Sequence, residues 1–277
     1  MDSILITGGS GFFGRAFVEE CFSRSVERIC IFSRGEALQA KMRSELLDHK
    51  SCRWFIGDVR DRWRLRRALE GVEVVVHAAA LKRVEVGEYN HSEMVRTNIA
   101  GAENLIEASI DSGVKKVVMI STDKAVSPVN CYGATKLVAE KLVLAGNSLS
   151  GNRTKFSVVR YGNVWGSTGS VVPTWKTLIE RGETEVPVTS PFATRFFMTK
   201  KQAVDLVWET IETMNGGELV MPELPAYELS DLAHAMGVRM KITGLPKHEK
   251  VHETMGGIPS DLARRMSVKE LKEALNG

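Results

Sequence analysis

Six short, β-branched runs alternate with longer stretches of helical periodicity through the first two-thirds of the chain. SILIT, RICIFS, CRWFIGD, VEVVVHA, KKVVMIST and KFSVVRYG are separated by GFFGRAFVEECF, ALQAKMRSELL, DRWRLRRALEG, EMVRTNIAGAENLIEASIDSG and YGATKLVAEKLVLAG. Strands that are apolar throughout, rather than at every second residue, belong to a parallel sheet with helices on both faces. The pattern predicts an α/β fold, a doubly wound parallel Rossmann sheet that binds ligands beyond the carboxyl ends of its strands. After Tyr161 the alternation loosens and prolines cluster at 173, 187, 191, 222, 225 and 246. Residues 1–165 are therefore assigned to a dinucleotide-binding domain, to which a helix at about 196–215 returns. Residues 166–195 and 216–277, including a predicted helix over AYELSDLAHAMG, are assigned to a small α/β substrate-binding domain.

A formal charge of +3 on 277 residues is too weak and dispersed to argue for nucleic acid. The five arginines of RDRWRLRR (Arg60–Arg67) read as a solvated helix face. Cys21, Cys30, Cys52 and Cys131 show no paired spacing and lie in apolar segments, as buried free thiols in a reducing compartment do. The longest apolar run, VEVVVHAAAL, is too short to span a bilayer and the N-terminus lacks a basic leader, so a cytoplasmic protein is expected.

ILITGGSGFFG sets Gly8, Gly11 and Gly14 between a strand and a helix. Glycine permits the tight turn and lets a pyrophosphate reach helix-terminal N–H groups. In this position the pattern marks a dinucleotide site, with Ser10, Phe12 and Phe13 as intervening contacts. The second strand ends in Ser33 and Arg34 rather than in an acid. A carboxylate there would bond the ribose 2′-hydroxyl of NAD, whereas a hydroxyl and a planar cation suit NADP; the plainer alternative for Arg34 is a surface residue. Asp58 and Val59 are placed against the adenine, and Ala78, Ala79 and Ala80 allow the cofactor to lie close. His77 reads as a satisfied core histidine.

In STDKAVSPVNCYGATK, Tyr132 and Lys136 lie four apart at a helix start and share a face. A phenol with a pKa of about 10 is a poor base at neutral pH, and a nearby ammonium lowers that value. Such a pair takes a hydroxyl proton as hydride leaves the same carbon. The adjacent Asp123 and Lys124 supply an acid and an amine for which a simple dehydrogenase has no use.

With these residues in place, the chain resembles the extended short-chain dehydrogenase/reductases. Through HAAALKRVEVGEYN, TNIAGAENLIEA, STDKAVSPVNCYGATK, VVRYGNVWGSTGSVVP, TRFFMT and HEKVHE it is similar to the soluble inverting UDP-N-acetylglucosamine 4,6-dehydratases, which begin bacterial pathways to pseudaminic acid. The resemblance implies oxidation at the sugar C4, loss of water across C5–C6 and hydride return to C6, with NADP regenerated in each turnover. It implies that Asp123 and Lys124 share the acid and base work, Lys124 being favoured as the C5 base once desolvation lowers its pKa. Thr122 is expected to bond the C4 oxygen. By the same match, Asn98, Ser121 and Val164 join Tyr132 and Lys136 at the cofactor. Lys82, Asn163, Val172, Thr194, Arg195, Lys247 and Glu249 are expected at the nucleotide sugar, with a structural salt bridge as the alternative for Arg195. Self-assembly as a dimer or hexamer is also implied.

The chain departs from that pattern in three places. Gly35 and Leu38 replace an acid and a lysine after the second strand, where Lys41 is a candidate substitute. The family's Arg-Pro-Gly-Glu-Lys is Pro246–Lys247–His248–Glu249–Lys250 here, without its arginine. The sequence ends at Gly277, which suggests a reduced C-terminal lid. HEKVH (His248–His252) matches a zinc-protease pattern, but Pro246 precedes it and no third ligand stands out, so no metal is expected. The rival readings are a sugar epimerase on this fold and a non-catalytic NADP-binding regulator.

Overall fold

A computed structural model describes residues 1–46 and 48–276; Leu47, where the second predicted helix ends, and Gly277 lie outside the described residues. The chain runs β1 (Ser3–Thr7), α1 (Phe12–Ser23), β2 (Arg28–Ser33), α2 (Glu36–Glu45), β3 (Cys52–Ile56), α3 (Arg62–Ala68), β4 (Val74–His77), α4 (Val84–Gly87), α5 (His91–Met94), α6 (Gly101–Asp111), β5 (Lys116–Thr122), α7 (Cys131–Leu149) and β6 (Lys155–Tyr161). It continues through α8 (Val171–Glu180), β7 (Glu185–Val188), β8 (Thr194–Phe196), α9 (Lys200–Thr213), β9 (Leu219–Val220), β10 (Ala226–Glu228), α10 (Leu229–Met236), β11 (Arg239–Ile242) and, near its end, α11 (Val268–Asn276).

The main sheet is parallel, in the order β3-β2-β1-β4-β5-β6-β9. Successive residues of β1 point to opposite faces, and each face is covered. Ile4 and Ile6 pack with Phe17 of α1 and Trp208 of α9. Leu5 packs with Leu65, Leu105 and Val143 of α3, α6 and α7. Each such side chain removed from water contributes about 2 kcal/mol, which is why the strands read as unbroken apolar runs. A separate cluster joins Val172, Trp175, Val186, Tyr227, Leu232 and Leu271 around α8, α10 and α11.

Three expectations change. Leu219–Val220, placed in the substrate domain by sequence, is a seventh strand paired to Val158–Val159 of β6. The helix expected from Ala226 begins at Leu229, because Ala226–Glu228 pairs with Thr194–Phe196. The long helix expected over 93–113 is interrupted by a π-helical turn at Val95–Ala100, a distortion that often re-aims side chains near a site. The basic run is a paired surface: Arg60 binds Asp58 and Glu93, and Arg62 binds Glu107 and Asp111. Cys21, Cys30 and Cys52 are buried free thiols, whereas Cys131 is only half-buried at the start of α7. No helix among the described residues is long and apolar enough to cross a membrane.

His77 is buried on β4 with Nδ1 2.7 Å from the Thr7 hydroxyl. Burial, helped by the Lys136 charge, pushes its pKa down from 6.5 to about 3. Between those values the unfolded chain binds a proton that the fold does not, so His77 makes stability fall as pH drops through this window. His77→Gln is expected to remove up to roughly 4 kcal/mol of that acid sensitivity. Urea unfolding at pH 7 and pH 4 should show a narrower gap in the variant than in the parent.

Candidate active site

The carboxyl ends of the central strands open into a cavity of about 1410 Å³, beyond the roughly 300–1,000 Å³ that holds one drug-sized ligand. One end is built by the β1–α1 turn. Gly8 has φ 68°, and a Cβ on it would lie 3.0 Å from Ala79 N; one on Gly14 would lie 2.5 Å from Gly9 Cα. α1 begins at this turn with no side-chain cap and no acid in its first turn, leaving its N–H groups for an anion. Ser10, Phe12, Phe13, Val59, Ala78, Ala79, Ala80, Ser121 and Val164 also border the cavity. The Ser10 and Ser33 hydroxyls are 2.8 Å apart, and Gln39 Nε2 donates to Ser33 Oγ (2.9 Å). Half-exposed Arg34 lies 3.7 Å from Asp58, which also borders the cavity. Burial raises Asp58, but Arg60 and Arg34 together hold it below the usual carboxylate range. Lys41 is exposed and does not border the cavity; Leu38 does.

At the other wall β5 ends in Thr122 and a 3₁₀ turn, Asp123–Ala125, that packs on the start of α7. Asn130 caps α7 by accepting from Gly133 N (2.8 Å), which fixes Tyr132 at the cavity. Lys136 makes no hydrogen bond to Tyr132 among the described residues. Its Nζ donates to the Ile120 carbonyl (2.7 Å), and burial pulls its pKa down to about 8 against the opposing pull of Glu140. Burial pushes Tyr132 up to about 12, with the Lys124 ammonium and the Thr122 hydroxyl pulling the other way.

Lys124 Nζ stands 3.2 Å from Asp123 Oδ1 and 3.2 Å from Glu253 Oε1. Burial alone would depress it, but the two carboxylates outweigh burial and hold it above the ordinary lysine value. The expected desolvation-lowered amine is therefore a charged ammonium at rest. Asp123 is fully buried and does not border the cavity; its Oδ1 accepts from Thr122 Oγ1 (3.0 Å) and Lys124 Nζ, while Oδ2 has no hydrogen-bond partner. Burial pushes its pKa up.

Toward the second cluster the cavity is bordered by Lys82, Asn163, Arg195 and Glu249. Arg195 is both a cavity residue and a structural one, since it donates to the Thr194 and Val251 carbonyls (2.8 and 3.0 Å) and pairs with Glu249. Four expected contacts do not border the cavity. Asn98 holds the Leu81 backbone and Thr135 (2.9–3.0 Å), so it supports the site from behind. Val172 packs into the second cluster, and Val171 faces the cavity in its place. Thr194 is bonded to His252 Nδ1 (2.9 Å) and Ser260 (2.5 Å). Lys247 is exposed, and its neighbour His248 borders the cavity.

Sequence reasoning missed Arg83, Thr97, His248 and Glu253, all cavity residues. Arg83 and Thr97 each neighbour a residue that was chosen, and Glu253 closes HEKVHE. That segment is an irregular loop, so its two histidines do not share a helical face as a zinc motif requires.

Residues 4–272 match the family described as Polysaccharide biosynthesis protein. Over 257 residues the chain is 47% identical to UDP-N-acetylglucosamine 4,6-dehydratase (inverting) of Campylobacter jejuni subsp. jejuni serotype O:23/36 (strain 81-176), covering 91% of this chain and 77% of that protein. It is 40% identical over 264 residues to UDP-glucose 4-epimerase of Rickettsia canadensis (strain McKiel), with coverage of 91% and 77%. Among solved structures, Pen from Bacillus thuringiensis superposes with a TM-score of 0.93 at 32% identity, covering 99% of this chain and 97% of that one. The dTDP-glucose 4,6-dehydratase DesIV of Streptomyces venezuelae, with NAD and TYD bound, gives 0.84 at 19% identity and 99% and 96% coverage, a likeness of fold.

Proposed function

The chain belongs to the polysaccharide biosynthesis protein family, and within it we propose an NADP-dependent hydro-lyase that removes water from UDP-N-acetylglucosamine across C5–C6 and inverts C5. The observation that carries this reading is Lys124 Nζ, held between two carboxylates at the wall of the cavity that also contains Tyr132. Neither an epimerase nor a silent binding protein needs that arrangement.

The cradle at Gly8, Gly11 and Gly14 fits the pyrophosphate of a dinucleotide, and Ser33 with Arg34 fits a 2′-phosphate. Bound there, NADP supplies oxidation at C4 and reduction at C6. Tyr132 takes the C4 hydroxyl proton, its raised pKa pulled back by the Lys124 ammonium and the Thr122 hydroxyl, and Lys136 would hold the ribose. Thr122 bonds the C4 oxygen. The C4 ketone acidifies the C5 hydrogen, which Lys124 removes once its own proton has moved to a carboxylate 3.2 Å away. Asp123, shut off from the cavity, acts on Lys124 and Thr122 rather than on the sugar. Asn163, Arg195 and Glu249 receive the nucleotide end. Residues around the second cluster form the substrate-binding part, whereas α9 and β9 belong with the cofactor-binding sheet.

Incubation with UDP-N-acetylglucosamine and NADP in deuterated water, followed by mass spectrometry and proton NMR, tests the reading. The expected product has lost one water, carries deuterium at an inverted C5 and forms with no net NADPH. Intact sugar after prolonged incubation would overturn it, and a product of unchanged mass would favour the epimerase that the Rickettsia relative is named for. Arg34→Ala is expected to weaken NADP binding by about 10- to 100-fold, the worth of a charge-assisted hydrogen bond, with NAD binding unchanged. Titration of each nucleotide measures it.

A further inference from the structure

Expulsion of the C6 hydroxyl requires an acid that reaches the sugar. Asp123, the neighbour of Lys124 in sequence, is completely buried and does not border the cavity. Among the other cavity carboxylates, Asp58 is bonded to Arg60 at the cofactor end, Glu85 is exposed on α4 away from the ion pairs of Lys124, and Glu249 is paired with Arg195. Glu253 borders the cavity beside Lys124, its Oε1 3.2 Å from Lys124 Nζ. Its Oε2 is buried without a hydrogen-bond partner, with Lys250 Nζ 3.7 Å away. The backbone around it is pinned: Glu253 N donates to Ser260 Oγ (3.0 Å), and Ser260 N donates to the Glu253 carbonyl (2.8 Å). A buried carboxylate so fixed, with one oxygen lacking a partner, is a group kept for a ligand.

We propose that Glu253 is the acid of the elimination, protonating the departing C6 hydroxyl. The assignment rests on the dehydratase reading above. One proton shift prepares both catalysts: the Lys124 ammonium gives a proton to the Glu253 carboxylate, leaving a neutral amine and a carboxylic acid. The amine then takes the C5 proton, the C5–H electron pair forms the C5=C6 double bond, and the C6–O bond breaks as the Glu253 acid protonates the oxygen. Water leaves, and Lys124 and Glu253 return to ammonium and carboxylate. At rest, burial raises Glu253, but Lys124, Arg195 and Lys250 outweigh it and keep the carboxylate ionised. Asp123 from the 3₁₀ turn, Tyr132 from α7 and Tyr227 from β10 are the other titratable groups in this cluster. Asp123 remains the counter-charge that orients Lys124.

Glu253→Gln tests this with two substrates, UDP-N-acetylglucosamine and its 6-chloro-6-deoxy analogue, whose chloride departs without a proton. Water loss from the natural sugar should fall about 10²–10⁴-fold, the usual contribution of a general acid. Chloride loss needs only the base, whose proton Asp123, 3.2 Å from Lys124 Nζ, can still take, so it should fall far less than water loss, and transient nicotinamide reduction should persist. A variant within about threefold of the parent on the natural sugar, or slowed equally on both substrates, overturns the assignment. Glu253→Asp is the second probe, because it keeps an acid. It should exceed the glutamine variant on the natural sugar, and failure to do so also overturns the assignment. A parent enzyme inert toward the natural sugar would instead overturn the dehydratase reading.

Discussion

Lys124→Ala is expected to abolish dehydration, lowering the rate by at least about 10³-fold, while NADP binding stays at its parental value. Lys124 lies outside the glycine turn and the Ser33–Arg34 ledge, so cofactor titration should not register the change. Without the amine no group takes the C5 proton, and in deuterated water the recovered sugar should carry no label at C5. The variant also leaves Asp123 and Glu253 buried together without the cation between them. Removing one partner from such a cluster costs about 3–5 kcal/mol until a carboxyl takes up a proton. Asp123, already raised by burial and now without the Lys124 cation, then has a folded-state pKa still further above its unfolded one, while Arg195 and Lys250 still face Glu253. The stabilising contribution of Asp123 is therefore complete at low pH and is lost as pH rises through its raised value. Thermal unfolding should show a variant closer to its parent at pH 5 than at pH 8. Full dehydration by Lys124→Ala would remove this residue from the mechanism.

Gly133→Ala is expected to damage the site through packing alone. A Cβ at position 133 would lie 2.1 Å from the Lys124 carbonyl oxygen and 3.1 Å from Pro128 Cβ. The first of these is a backbone atom, so no rotamer change relieves the overlap. Alanine gains about 1 kcal/mol over glycine in a helix, but overpacking against backbone costs about 3 kcal/mol or more, and the clash wins. Either the 3₁₀ turn moves away from α7 or the first turn of α7 frays, and both displace Lys124 from Tyr132. Dehydration should fall by about 10²-fold, since a 1 Å misplacement has that effect. Denaturant unfolding should show the stability loss, and cofactor affinity should change little. A variant as stable and as active as the parent would show that the turn tolerates the displacement.

Gly133 also shows where the sequence was legible and where it was not. The Tyr-x-x-x-Lys spacing placed Tyr132 and Lys136 on one face of α7, and both border the cavity. The spacing did not reveal that the intervening glycine is the seat of the Asp123–Lys124 turn. The six strands were legible because burial on both faces leaves an unbroken apolar run. ELVMP also reads as a strand, but its place in the main sheet was not legible, since two residues carry no sign of the partner and only pairing with β6 sets it. The break at Val95–Ala100 was equally hidden, because TNIAGAEN has ordinary helical spacing.

The amino-acid order alone determined the features that act within one strand or one helical turn. These are the parallel sheet, the glycine cradle, the strand end at Ser33–Arg34 without an acid, and the Tyr132–Lys136 face. Local sterics and hydrophobic period suffice for each of them. The tertiary structure alone decided which of two adjacent residues meets the cavity, placing Lys124 at its wall and Asp123 behind it. It also brought Glu253 to Lys124 and gave Arg195 its partner Glu249. Charge pairing and burial are through-space quantities, set by β5, β8 and the loop before Ser260 packing together, and no spacing along the chain records them.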